Sequence, residues 1–129
     1  MNTSERDHIL FGTTPPTYSG GVAKFTRLTL EKIKLLVKKG ILDPTDSYNC
    51  SPEVQDYMDF METHPGFHAH GYAVSPERKD CRVTIEGIKA RLEPTDSPFD
   101  PDTIRDFVLR YRHADEFEWE PDHLYCWYD

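Results

Sequence analysis

Apolar residues recur along this chain with two different periods, and the points where the period changes divide it into elements. Between Thr29 and Gly40, residues Leu30, Ile33, Leu36 and Val37 fall at helical spacing, behind a threonine that can cap a helix and before a glycine suited to a left-handed terminus. A second helix is expected from Ser51-Pro52-Glu53, where cap, proline and acidic first turn follow in order; Val54, Tyr57, Met58 and Met61 mark its buried stripe, flanked by Phe60. His64-Pro65-Gly66 ends it, because proline restricts the residue before it and glycine releases the chain. Beyond Gly66 the period shortens. Phe67 to Val74 reads as a strand, Pro76 to Asp80 as a charged turn, and Cys81 to Leu92 as a second strand in which Val83 and Ile85 alternate with Arg82, Thr84 and Glu86. A third helix starts at Asp100-Pro101-Asp102 and places Ile104, Phe107, Val108 and Tyr111 on one stripe. Phe117 and Trp119 then alternate with Glu116, Glu118 and Glu120, and Pro121-Asp122 turns the chain into Leu124 to Tyr128, which predicts a closing hairpin.

These elements predict an α+β fold: a single two-layer domain over 24–129, in the order α-α-β-β-α-β-β, with a mainly antiparallel sheet of about four strands packed against helices. Residues 1–23 are expected to form an irregular N-terminal arm, since the Pro15-Pro16 and Gly20-Gly21 pairs defeat both regular structures. A chain of 129 residues with a hydrophobic share of 37% supports one compact core rather than two.

Charge changes the picture of partners. The formal net charge of −8 repels phosphate at long range, so direct nucleic-acid binding is not expected. The charge is also unevenly placed. Between Lys24 and Lys39 six bases (Lys24, Arg27, Lys32, Lys34, Lys38, Lys39) meet Glu31 alone, whereas Asp115 to Asp129 holds six acids and no Lys or Arg. Such a dipolar chain can meet a protein partner, or a second copy of itself, with either end. No apolar run approaches the ~18 residues of a membrane span, and the polar first residues do not resemble a signal peptide. Cys50, Cys81 and Cys126 form no Cys-x-x-Cys motif and suit reduced thiols, so a cytoplasmic location without membrane contact is expected.

Candidate chemistry is sparse. His64, His68 and His70 crowd half of the six histidines into seven residues, and residues two apart in a strand share a face, so a metal site drawing on these three is one expectation; a surface pair beside Tyr72 is the plainer reading. Cys50, just before the second helix, is the best nucleophile candidate, with His64 or His113 as conceivable bases. Arg78, Lys79 and Arg82 gather at the first hairpin turn near Tyr72, with Glu77 and Asp80 among them. Cys81 and Cys126 read as core filler. No Gly-x-Gly-x-x-Gly, Walker loop, Gly-x-Ser-x-Gly elbow or His-Glu-x-x-His helix is present, so no catalytic set and no cofactor is assigned.

Aromatic residues crowd the C-terminal hairpin: Trp119, Tyr125, Trp127 and Tyr128 among acids. With Lys32, Lys34, Lys38 and Lys39 of the first helix, Trp119, Tyr125 and Trp127 are the expected partner-binding residues. The function expected is therefore that of a small intracellular, non-enzymatic accessory or regulatory protein acting through protein–protein contacts. The alternatives are a metal-binding or hydrolytic domain built on His64, His68 and His70, and an acidic inhibitor that imitates nucleic acid.

Overall fold

A computed structural model gives the fold and describes residues 2–48 and 50–129; Met1 and Asn49 lie outside the described residues. In chain order the elements are helix α1 (Thr3–Phe11), strand β1 (Val22–Leu28), helices α2 (Leu30–Lys38) and α3 (Val54–Thr63), strands β2 (His68–Val74) and β3 (Val83–Arg91), helix α4 (Pro101–Tyr111), and strands β4 (Glu116–Glu120) and β5 (His123–Trp127). The strands form one sheet in the order β1-β2-β3-β5-β4, and every pairing is antiparallel. This is the expected α+β fold, with a sheet of five strands instead of about four. No helix of the described residues is long and apolar enough to cross a membrane.

Helix ends follow the local chemistry. The Thr29 side chain accepts from the Lys32 N–H, and Asp100 caps α4 ahead of Pro101. The second helix starts later than its Ser-Pro-Glu motif suggested: Glu53 is the cap residue, and its backbone N–H donates to the Asp56 carboxylate at 3.1 Å in a reciprocal capping box. All four residues of the α3 stripe are buried, as is Phe60.

The expectation of an irregular arm over 1–23 is corrected by α1 and by the start of β1 at Val22. Helix α1 is mostly polar, and what ties it down is a charged residue. Arg6, fully buried at 0% exposure, donates from Nη1 to the carbonyls of Val74 (2.7 Å) and Cys81 (2.6 Å), from Nη2 to the Tyr18 hydroxyl (2.6 Å), and from Nε to Asp7 (2.9 Å). The guanidinium thus joins the helix to the end of the β2–β3 hairpin, and the Asp7 carboxylate balances its charge. Tyr18, held by partial burial and by donating to Asp7, keeps its proton to higher pH than an ordinary phenol.

One face of the sheet carries the core. Ala23, Phe25 and Leu28 of β1, Ala69 and Ala73 of β2, Val83, Ile85, Ile88 and Ala90 of β3, and Leu124 and Cys126 of β5 are buried together with Ile9, Ile33, Leu36, Tyr57 and Phe107 of the helices. Between α3 and α4 the core is aromatic: Phe60 meets Phe67, Phe107 and Tyr111 edge-on, and Phe107 stacks on Phe117. The alternate residues of the strands face the other way and, apart from His70 and Thr84, are mostly half-buried or exposed.

Candidate functional site

The uncovered face of the sheet holds most of the unassigned chemistry. Its strands bring residues distant in sequence into cross-strand rows, one of which runs Glu118, Tyr125, Lys89, His68 from β4 to β2. Next to a register shift between His70 and Gly71, β2 and β3 approach closely, so that a Cβ on Gly71 would stand 1.9 Å from the Thr84 carbonyl oxygen; β3 and β5 are equally close at Gly87, where a Cβ would stand 1.9 Å from the Cys126 carbonyl oxygen and 2.8 Å from Cε1 of His70. The bare backbone of Gly87 therefore leaves room for the His70 ring, which stacks on Tyr125 with centroids 5.1 Å apart and planes 18° from parallel. Burial pushes the His70 imidazole down to a pKa of about 4, so it is neutral at pH 7; the nearby Cys126 and Ile88 carbonyls oppose the shift and Lys89 adds to it. Nε2 of this ring is buried and meets no hydrogen-bond partner.

Beside His70 lies a depression of about 250 Å³ floored by Tyr125 and Trp127 and edged by Lys24, Glu86 and Lys89. Partial burial raises the Glu86 carboxyl, opposed by a hydrogen bond from the Trp127 indole. A second depression, of about 310 Å³, shares Thr26 and Lys89 with the first and is lined by Arg27, His68, Arg91 and Glu93. Lys89 Nζ sits 5.8 Å from the Tyr125 ring centre. Among the described residues none of Lys24, Arg27, Lys89 and Arg91 forms an ion pair, unlike Arg6, Lys34, Lys39, Arg82 and Arg105.

The acids occupy the opposite side of this face. Glu116, Glu118 and Glu120 of β4 pair across to Trp127, Tyr125 and His123, and His123 bridges Glu118 (2.8 Å) and Asp122 (2.9 Å). Phe117 and Trp119 point to the helix side; Phe117 reaches the core, while Trp119 remains 56% exposed at the sheet edge.

The three histidines expected to share a metal are separated. His64 caps the end of α3 and turns to α4, with Nδ1 3.0 Å from the Thr103 hydroxyl and Nε2 2.9 Å from the Asp106 carboxylate, which this bond holds below the usual carboxylate range. His68 and His70 lie on the uncovered face, and among the described residues no three His, Cys, Asp or Glu side chains are grouped to hold a metal ion. Of the lysines expected to meet a partner, Lys34 pairs with Glu62 (2.9 Å) and Lys39 with Glu5 (3.3 Å), while Lys32 and Lys38 are exposed. Around the first hairpin, Arg82 pairs with Asp80, donates to Tyr72 (3.1 Å) and stacks on Tyr48 (4.7 Å). Cys50, exposed and with φ of 60°, shares a cleft of about 810 Å³ with Asp56, Arg110, Tyr111, His113 and Asp115, but no hydrogen bond joins it to His113, whose Nε2 accepts from Arg112. Comparison of the chain with protein-family models, curated proteins and solved structures finds no match.

Proposed function

We propose that this chain is a non-enzymatic accessory or regulatory protein that works through protein–protein contacts, with the β4–β5 hairpin as its contact surface. The observation that carries this reading is Trp119, a large aromatic 56% exposed on an edge strand. An edge strand offers unpaired backbone groups, and tryptophan is the side chain most enriched at contact hot spots. The glutamates of β4 select a partner with a basic surface and discourage self-pairing of this edge, because two acidic edges repel.

The test is a photo-reactive phenylalanine analogue placed at position 119 of the full chain in its native cells. A discrete adduct that carries a basic protein, is weakened by raised salt and is lost on Glu118→Lys supports the reading. Absence of an adduct, together with a monomeric solution mass, removes it. The nucleic-acid-mimicking alternative is the special case in which the basic partner binds DNA or RNA; competition for the adduct by duplex DNA distinguishes it.

A further inference from the structure

We propose that the basic half of the uncovered sheet face binds a small phosphorylated aromatic compound of the nucleoside monophosphate class, its ring against Tyr125 and Trp127 and its phosphate over Arg27, Lys89 and Arg91. Three independent features point to this ligand. The first is an aromatic lining: Trp127 and the His70–Tyr125 stack border a depression of about 250 Å³, where a planar ring would meet the Trp127 indole and the edge of that stack. The second is charge, since the adjoining depression of about 310 Å³ gathers Arg27, Lys89 and Arg91, cations without an ion pair among the described residues, against Glu93 in its lining and Asp122, which acts on Arg91 from the β4–β5 turn. A phosphate is the group that such guanidinium and ammonium side chains hold best.

The third feature is His70. Its side chain is nine-tenths buried, at 9% exposure, on the wall of the ring depression, and Nε2 makes no hydrogen bond of normal geometry, although the Cys126 and Ile88 carbonyls stand beside the ring. A buried polar atom left unpaired carries a desolvation cost, which a ring bearing amide or amino groups removes once the imidazole turns to bring Nε2, closed to solvent in the free protein, to the depression. Saturated phosphorylated compounds satisfy only the cations, and unphosphorylated rings satisfy only the floor and His70. The two depressions together enter the range of about 300–1,000 Å³ for small-molecule sites. A strand of nucleic acid fits less well, because its further phosphates would run toward Glu116, Glu118 and Glu120 on a protein of net charge −8.

This site lies on the sheet face opposite Trp119 but draws Tyr125 and Trp127 from the same β4–β5 hairpin, so the variants that test it are placed on β3, outside that hairpin. The experiment is calorimetric titration of the full chain at low salt with each of the four ribonucleoside 5′-monophosphates, the matching nucleosides, inorganic phosphate and a short single-stranded RNA. Saturable binding of at least one monophosphate is expected, about tenfold or more tighter than its nucleoside or phosphate alone, and about tenfold weaker in Arg91→Ala and in Lys89→Ala. Arg91 is exposed, so its replacement leaves the fold intact. No saturable binding by any monophosphate, equal binding of nucleoside and nucleotide, or affinity unchanged in both variants overturns the proposal. So does binding of the RNA strand alone.

Discussion

His70 on β2 lies flat against Tyr125 on β5, two strands away, and it reaches there only because the intervening position is Gly87. The same burial that allows this stacking holds the imidazole neutral, with its pKa lowered to about 4 from 6.5. Because the unfolded chain binds that proton more readily, stability is fully present above pH 6.5 and is lost as pH falls toward 4, on the order of 3 kcal/mol at the limit. The carboxylates of Asp43, Asp106 and Asp122, lowered by hydrogen bonds, lose their share below the ordinary value of 3.8, beneath this window, while the raised Glu86 acts weakly in the opposite sense. Denaturant titrations from pH 7 to 4 check this. In His70→Gln the decline above pH 4 should flatten, and an unchanged slope would show that another group carries it.

Gly87→Ala is expected to destabilise the fold by about 3 kcal/mol or more, because the added methyl meets a backbone carbonyl that cannot swing aside. Urea unfolding gives the number. A loss under about 1 kcal/mol would mean that β3 and β5 part easily, contrary to the packing described.

Arg6→Met keeps much of the side-chain volume but leaves the Val74 and Cys81 carbonyls and the Tyr18 hydroxyl without their donor. A cost of about 3 kcal/mol is expected. Amide exchange should accelerate first in α1 and at the β2–β3 turn; uniform acceleration would contradict a local clasp.

Tyr111→Phe should go the other way. The Tyr111 hydroxyl is buried without a partner, and burial raises its pKa, so removing the oxygen is expected to be neutral or stabilising by up to about 1 kcal/mol. A clear loss of stability would reveal an acceptor in the cleft.

Thiol labelling separates the cysteines. Cys50 is exposed, whereas Cys126 is fully buried and its pKa is pushed up to about 12. Iodoacetamide on the native protein should modify Cys50 early and Cys126 only after denaturation, as read by peptide mass, and Cys50→Ser should abolish the early adduct.

Where one surface of an element is apolar, sequence periodicity located it: α2, α3, α4 and the two hairpins lie where Ile33, Tyr57, Phe107, Val83 and Leu124 placed them. Helix α1 escaped because its anchor is Arg6, a residue whose type signals exposure and whose partners are far away in sequence. Strand β1 escaped because its alternation of Ala23 and Phe25 with Lys24 and Thr26 is broken by a register irregularity before Leu28, close behind two glycines. The histidine cluster was visible as composition, but a helix end separates His64 from His68 and His70. The His70–Tyr125 stack and the grouping of Arg27 with Lys89 and Arg91 depend on the β1-β2-β3-β5 order, which no local pattern encodes.

Strand β5 enters the sheet between β3 and β4 although it follows both in the chain. During synthesis β3 therefore presents a bare hydrogen-bonding edge along Lys89, Ala90 and Arg91 until β5 has been made. The strand that completes the sheet is also the one that supplies Tyr125 and Trp127, so a nascent chain has neither a closed fold nor the aromatic floor until both arrive together.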